Sequence, residues 1–285
     1  MAGADKGVVA KAQAGRGTVE KGVLLLPVAV ALVAGVLVPL VVIVVASLQD
    51  GGGAYRETFS SSLFRAALGR TWWMAVIITL GDVLIGTFYA LAAASARRGL
   101  QALLLGALMF SMWTSVMVRS FGWMLLELPK GALYWLAHTF FGRSEPIELY
   151  QTVGGMYPAM FAMMLPFIVL PVLAATRNVD ADQLKAARTF GASTWLTLRT
   201  VTLPAIRPAI VSAGVLVFVM SLGFYVTPLL LGGPSNLTVS GVINLEMRSA
   251  NRPDLGASMS VILTTATVVV YLVSDRFFRV SEKWG

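Results

Sequence analysis

Residues 68–96 read LGRTWWMAVIITLGDVLIGTFYALAAASA, and between Arg70 and Arg97 the only charged residue is Asp82. A helix rises 1.5 Å per residue, so a run of this length covers the roughly 30 Å hydrocarbon core of a bilayer. Its apolar side chains fall on every face, whereas a helix lying on a water-facing core keeps one polar face. The bias extends to the whole chain. Of its 285 residues 57% are hydrophobic and 13% charged, about half the charge that soluble domains carry.

Outward from this run, five others of similar length appear at about 23–48, 101–126, 151–176, 205–231 and 255–277. The predicted fold class is an all-α integral membrane protein with six transmembrane helices. Pro27, Gly35 and Pro39 in the first run are tolerable inside a membrane helix, and the run is too long for the apolar region of a cleaved leader, so it reads as an anchor. Basic residues alternate between the connections. Lys6, Lys11, Arg16 and Lys21, then Arg97 and Arg98, then Arg177, Lys185, Arg188, Arg199 and Arg207, then Arg276, Arg279 and Lys283 share one side. The other side carries more acids than bases, among them Glu57, Glu127, Glu145, Glu148 and Glu246. By the positive-inside rule both termini are cytoplasmic, with residues 1–21 as a cytoplasmic tail and 22–285 as one six-span unit.

Composition also excludes chemistry. The chain has no cysteine and a single histidine, His138, so thiol nucleophiles, iron–sulfur clusters and Cys- or His-ligated metal sites are ruled out. No metal site is expected, and no catalytic residues: a membrane-embedded hydrolase would need a nucleophile with a positioned base. The net charge of +8 is dispersed between apolar runs, which suits topology and contact with anionic membrane lipid and gives no nucleic-acid surface. The sequence contains no G-x-x-x-x-G-K-[ST], so it has no phosphate cradle of the usual kind for hydrolysing ATP.

The longest connection on the basic side, about 177–208, reads RNVDADQLKAARTFGASTWLTLRTVTLPAIRP. Asp180 or Asp182 can cap a helix that ends at Gly191, and a second amphipathic turn around Trp195, Leu196, Leu198 and Val201 leads to Pro204 and Pro208, which mark the return into the fifth span. Two short helices separated by a glycine are predicted at the membrane face.

Lys185-Ala186-Ala187, three residues, Gly191, nine residues, then Val201-x-Leu203-Pro204 resembles the loop of ABC importer permeases that reads E-A-A, G and I-x-L-P at these spacings. Trp113-Thr114-Ser115, Val118 to Trp123 (VRSFGW), Leu165-Pro166-Phe167, Leu170-Pro171, Thr227 to Gly233 (TPLLLGG) and Gly256-Ala257-Ser258 extend the likeness to permeases of the spermidine/putrescine type. The resemblance implies a coupling helix that docks on a separate ATPase subunit, here through Leu184, Lys185, Ala186, Ala187, Gly191, Ala192, Leu203 and Pro204. Lys185 stands where the family has glutamate, reversing that charge. Also implied are two ATPase subunits binding ATP and Mg, a second permease that is a different chain, an extracytoplasmic solute-binding protein, and residence in a bacterial inner membrane. This chain itself would hold no cofactor and be no enzyme. The implied cargo is a small cationic, polyamine-like solute, with phosphonates, opines and similar solutes as alternatives. An ion-coupled secondary transporter is a distant alternative, which would show inverted repeats and more charge within its spans.

Ionisable residues inside spans are costly and are functional candidates by default. Asp82 offers a negative charge to a cationic path, and Arg119 lies toward the outer half of the third span; the bland alternative is that the two satisfy each other or neighbouring carbonyls. Trp113, Phe224 and Tyr225 offer ring faces to an alkylammonium, the latter two in MSLGFYVTPLLLGG, whose Gly223 and Pro228 can break a helix. Trp72 and Trp73 are expected to be interfacial anchors, and Met109, Met112, Met117, Met156, Met160, Met163 and Met164 to fill gaps between helices. Residues 130–142, with His138 exposed or capping, are expected to lie flat on the outer surface, where a binding protein could dock.

Overall fold

A computed structural model describes residues 27–28, 30–142 and 144–282. The expected tail at 1–21, the first residues of the first span, Arg143 and Lys283 lie outside the described residues. Every regular element among the described residues is helical. The order is α1 (Val30–Ser47), α2 (Gly53–Ser60), α3 (Ser62–Ser95), α4 (Arg98–Trp113), α5 (Val116–Glu127), α6 (Ala132–Phe141), α7 (Val153–Arg177), α8 (Ala181–Thr189), α9 (Thr194–Thr197), α10 (Leu203–Leu222), α11 (Val226–Gly232), α12 (Val239–Asn244) and α13 (Pro253–Glu282). Five of the helices are long and apolar enough to cross a membrane, and the α4–α5 pair makes a sixth if a broken helix is counted as one span.

At the centre α3, α7 and α10 pack together. Met74, Ile78 and Ala90 of α3 meet Met160, Ile168 and Val172 of α7 and Ile206 and Val217 of α10, all fully buried. The sequence permits this approach by placing glycine where backbones meet, the usual device of helices that associate in lipid. A Cβ at Gly86 would lie 2.7 Å from Ile168 Cγ2, one at Gly214 would lie 3.1 Å from Val83 Cγ2, and Phe161 lies directly over Gly81. Met156, Met160, Met163 and Met164 are buried and fill the core as expected, whereas Met112 and Met117 are exposed.

Two of the expected spans are not single helices. The third, at 101–126, bends by 105° between α4 and α5. Thr114 and Ser115 leave helical geometry there, and the Thr114 hydroxyl donates to the Phe110 carbonyl at 2.9 Å, a local bond that competes with helix continuation. The fifth, at 205–231, stops at Leu222 and resumes at Val226. Pro228 lies in the first turn of the resumed helix, where its missing N–H leaves no bond unmade. Conversely, Pro204 does not begin a new helix. Residues Thr194–Leu222 run on as one helical rod, and the turn Leu198–Thr202 widens to π geometry, which makes room for a proline that lacks an N–H.

A second, smaller cluster closes one end of the bundle, with Phe64 and Ala67 of α3, Val239 and Val242 of α12, and Met259 of α13. Polar contacts fasten it. The Thr58 and Ser258 hydroxyls share a buried 2.6 Å bond, Arg70 donates to the Leu237 carbonyl at 2.6 Å, and the Arg252 guanidinium grips both Glu57 oxygens at 2.6 Å. That grip holds the Glu57 carboxyl below its ordinary value, and Glu57 in turn raises Arg252. Helix α1 is exposed along nearly its whole length and meets the rest through Ser47, whose hydroxyl bonds Tyr55 at 2.7 Å.

Gly86→Val should cost about 1–3 kcal/mol through overpacking against Ile168, lowering the thermal midpoint of the purified protein, while Gly106→Val, which meets nothing within 4 Å, should leave it unchanged. Because the Glu57 carboxyl is depressed in the folded state, its contribution is present in full above the unfolded value of 4.5 and is lost as pH falls through the folded one. Amide protection in α2, taken relative to the intrinsic exchange rate at each pH, should accordingly fall on acidification, and Arg252→Gln should abolish that dependence.

Candidate functional site

The connection between α7 and α10 is built from caps. The Asp180 carboxylate accepts the Asp182 amide at 2.8 Å and opens α8; the Ser193 hydroxyl accepts the Leu196 amide at 3.2 Å and opens α9. Between them Gly191 sits at φ +75°, with its amide donating to Arg188 and the Ala192 amide donating back to Ala187, both at 3.0 Å. This paired closure of a helix end requires a left-handed residue, which is why glycine stands there. The expected glycine break is present, but only α8 is a separate short helix: α9 is the first turn of the rod that runs on to Leu222.

Both ends of this loop are tied into the core. Val179 before α8 and Leu203 after the π turn pack on the central cluster, and Ile206 is fully buried. Between these anchors the surface is open. Lys185 and Ala186 are exposed, Leu184, Ala187 and Ala192 half-buried, and Pro204 exposed. Lys185 pairs with Asp182 of its own helix at 2.9 Å, an exposed pair of little energetic weight. Phe190, 88% exposed, and Trp195, 66% exposed, flank Gly191. Phe190 was not singled out by sequence reasoning; its signal was a large ring next to a glycine in an otherwise polar loop.

A second constellation lies where the two broken helices meet. α5 and α11 pack on one another and on α7. The Ser120 and Thr227 hydroxyls share a buried 3.0 Å bond, and Thr227 also approaches Met163 Sδ at 3.3 Å. Trp113 ends α4 just before the bend and is 91% exposed, while Phe224 and Tyr225 occupy the break between α10 and α11 and are half-buried. Arg119, in the first turn of α5, reaches Ser111 Oγ at 3.4 Å, and among the described residues its Nε has no partner.

Asp82 is fully buried on α3, and among the described residues neither of its oxygens has a hydrogen-bond partner. It does not pair with Arg119, so the idea that the two satisfy each other is set aside. Trp72 packs edge-on against Phe218, with ring centroids 5.3 Å apart. A further carboxylate went unnoticed in the sequence. Glu127, grouped there with the outer acids, ends α5 fully buried and without a partner, next to Gly155 in the first turn of α7. The apolar run ended at Leu126, so nothing in the pattern marked the next residue as buried.

Multiple apolar crossings, spans broken inside the bundle and a capped loop anchored at both ends define a helical membrane transport protein. Residues 83–284 match the family described as the binding-protein-dependent transport system inner membrane component. The chain belongs to that family, the inner-membrane permease subunits of ABC importers. It is 28% identical to the spermidine/putrescine transport system permease protein PotB of Escherichia coli K12 over 214 residues, 74% of this chain and 76% of that one. The PotB of Haemophilus influenzae is 28% identical over 251 residues, 85% of this chain and 88% of that one. Among solved structures, a bacterial ABC transporter involved in import of the acidic polysaccharide alginate superposes with a TM-score of 0.83 at 17% identity, covering 93% of this chain and 96% of that chain. An inward-facing MetNI methionine ABC transporter gives 0.57 at 15% identity, covering 77% and 98%. At such identities these structures speak to the fold alone.

Gly191→Val should strain the α8 closure by about 1–2 kcal/mol through its left-handed backbone, since the space around it is open. Hydrogen exchange should quicken across α8 and stay unchanged in α7, and Gly191→Asn should be much milder.

Proposed function

We propose that this chain forms one half of the membrane path of an ATP-driven importer, with six spans and both termini cytoplasmic. Residues 177–208 are its coupling loop, and 22–285 its permease unit. Leu184, Lys185, Ala186, Ala187, Gly191, Ala192, Leu203 and Pro204, with Phe190 beside them, dock on an ATPase subunit. The observation that carries this reading is the double anchoring of α8: Val179 and Leu203 seat its two flanks in the central core, so a push on the loop reaches α7 and α10 directly. Two ATPase subunits supply ATP and Mg, a second permease of different sequence completes the path, and a solute-binding protein delivers the cargo. Lys185 leaves a basic residue at the docking face, which suits an acidic contact on the ATPase.

The solute path runs past the two helix breaks. Irregular backbone at membrane depth is tolerated where protein covers it or where it lines a cavity, and Trp113, Arg119, Phe224 and Tyr225 all sit at such breaks. The cargo is a small organic cation of the polyamine kind. Two facts support that reading: the PotB relatives are named for spermidine and putrescine, and Asp82 is a buried carboxylate that a bound ammonium would neutralise. A second reading, a small solute with an acidic group such as a phosphonate or opine, is favoured by Arg119, whose Nε is unpaired at the uncapped start of α5.

Proteoliposomes containing the complete complex should take up putrescine only with ATP, and Asp82→Asn should lower that uptake about tenfold or more, the scale of one lost 1.4 kcal/mol interaction, without slowing a neutral solute carried by the same complex. Equal slowing of both would return Asp82 to a packing role. Uptake of 2-aminoethylphosphonate but not of putrescine would establish the second reading.

A further inference from the structure

Helix α6 contributes no buried side chain to the bundle, although its sequence, ALYWLAHTFF, is apolar nearly throughout. Its depth is set by its neighbours. The position a Cβ at Gly155 would occupy is 2.7 Å from Glu127 Oε2, so the end of α5 lies against the first turn of the membrane-crossing helix α7. Four residues, 128–131, then lead into α6, and at Gly131 the carbonyls of Leu125, Leu126 and Leu128 crowd so closely that a side chain would collide with them. The return is tied as well: the Tyr134 hydroxyl donates to the Ser144 carbonyl at 3.4 Å, and the Thr152 hydroxyl caps α7 by accepting the Gly155 amide at 3.1 Å. α6 is therefore held at the level where α7 enters the bundle, on the face opposite α8. Its ten residues cover about 15 Å, too little to cross a bilayer.

The helix turns Leu133, Tyr134 and Ala137 toward the bundle, where they are half-buried. Trp135 faces away, 61% exposed, and Phe140 and Phe141, 72% and 87% exposed, stand at the open C-terminal end of the helix. Lys130 precedes the helix, Arg143 follows it, and no acidic residue lies between them. We propose that α6 is an interfacial anchor: its exposed aromatic side chains lie in the boundary between headgroups and acyl chains of the leaflet opposite α8, and Lys130 meets lipid phosphates. Aromatic side chains and basic charge are the chemistry this boundary selects. Since α6 continues from α5, the anchor fixes the outer half of the broken span to the leaflet, whatever solute is carried.

The absence of cysteine makes a direct test simple. Phe140→Cys and, separately, Phe141→Cys are labelled with an environment-sensitive fluorophore, with Glu145→Cys as the water-exposed reference. The full chain is purified with the subunits it retains in mild detergent and reconstituted into liposomes of phosphatidylethanolamine and phosphatidylglycerol. Lipids carrying a quencher near the headgroup should quench labels at 140 and 141 at least about threefold more than aqueous iodide does, and the label at 145 should show the reverse. Quenching of 140 and 141 by iodide alone would overturn the proposal in favour of a solvated helix. Shielding of both from lipid and iodide would overturn it in favour of a protein occupant: the second permease if it is seen without binding protein, and the binding protein if it appears only on its addition.

Discussion

The close approach of α3, α7 and α10 is the contact on which the rest depends. In lipid, helices gain little from hiding apolar surface from one another, so they associate through van der Waals contact and therefore through shape. Gly86 under Ile168, Gly214 under Val83 and Gly81 under Phe161 supply that shape. Once these three rods are locked, every other element is placed relative to them: α4 and α5 along α7, α11 against both α5 and α7, and α12 and α13 across the far end.

Two consequences follow for transport. The break between α4 and α5 is exposed and that between α10 and α11 half-buried, and the Ser120–Thr227 bond joins the two displaced segments to one another. The bundle thus contains two breaks within apolar spans, with Arg119, Phe224 and Tyr225 half-buried beside them. At the opposite end, the loop from Arg177 to Leu203 does not hang from the bundle as a flexible linker. Its first and last apolar residues are part of the core, its helices are capped, and its apolar surface at Phe190 and Trp195 faces outward. A rigid loop transmits displacement; a floppy one would absorb it.

Much of the fold was legible in the sequence because hydrocarbon imposes a simple rule on length and charge. The run around Asp82 and the runs near 151–176 and 255–277 became α3, α7 and α13 with shifts of a few residues at their ends. The failures came where hydropathy is blind to backbone. Residues 101–126 are apolar enough overall for one span, so hydropathy does not mark a right-angled bend at Thr114 and Ser115. Pro204 and Pro228 look alike in sequence, yet one is absorbed into a continuous rod beside a widened turn and the other lies in the first turn of a new helix. The spacing of Ala186, Ala187, Gly191 and Leu203 located the loop. Phe190 and Glu127 escaped because each lies one residue outside the pattern that drew attention to its neighbours.

The central claim is that the α8 loop is the joint through which an external ATPase moves this bundle. Affinity purification of the tagged full chain in mild detergent, with every retained protein identified, tests it most directly when run beside Gly191→Asp. The account predicts that wild type retains an ATPase and a second permease, and that the variant keeps the permease but loses the ATPase. Retention of the ATPase by Gly191→Asp at wild-type level would contradict the assignment of the joint. Recovery of the chain alone, active in liposomes on an ion gradient without ATP, would contradict the importer account as a whole.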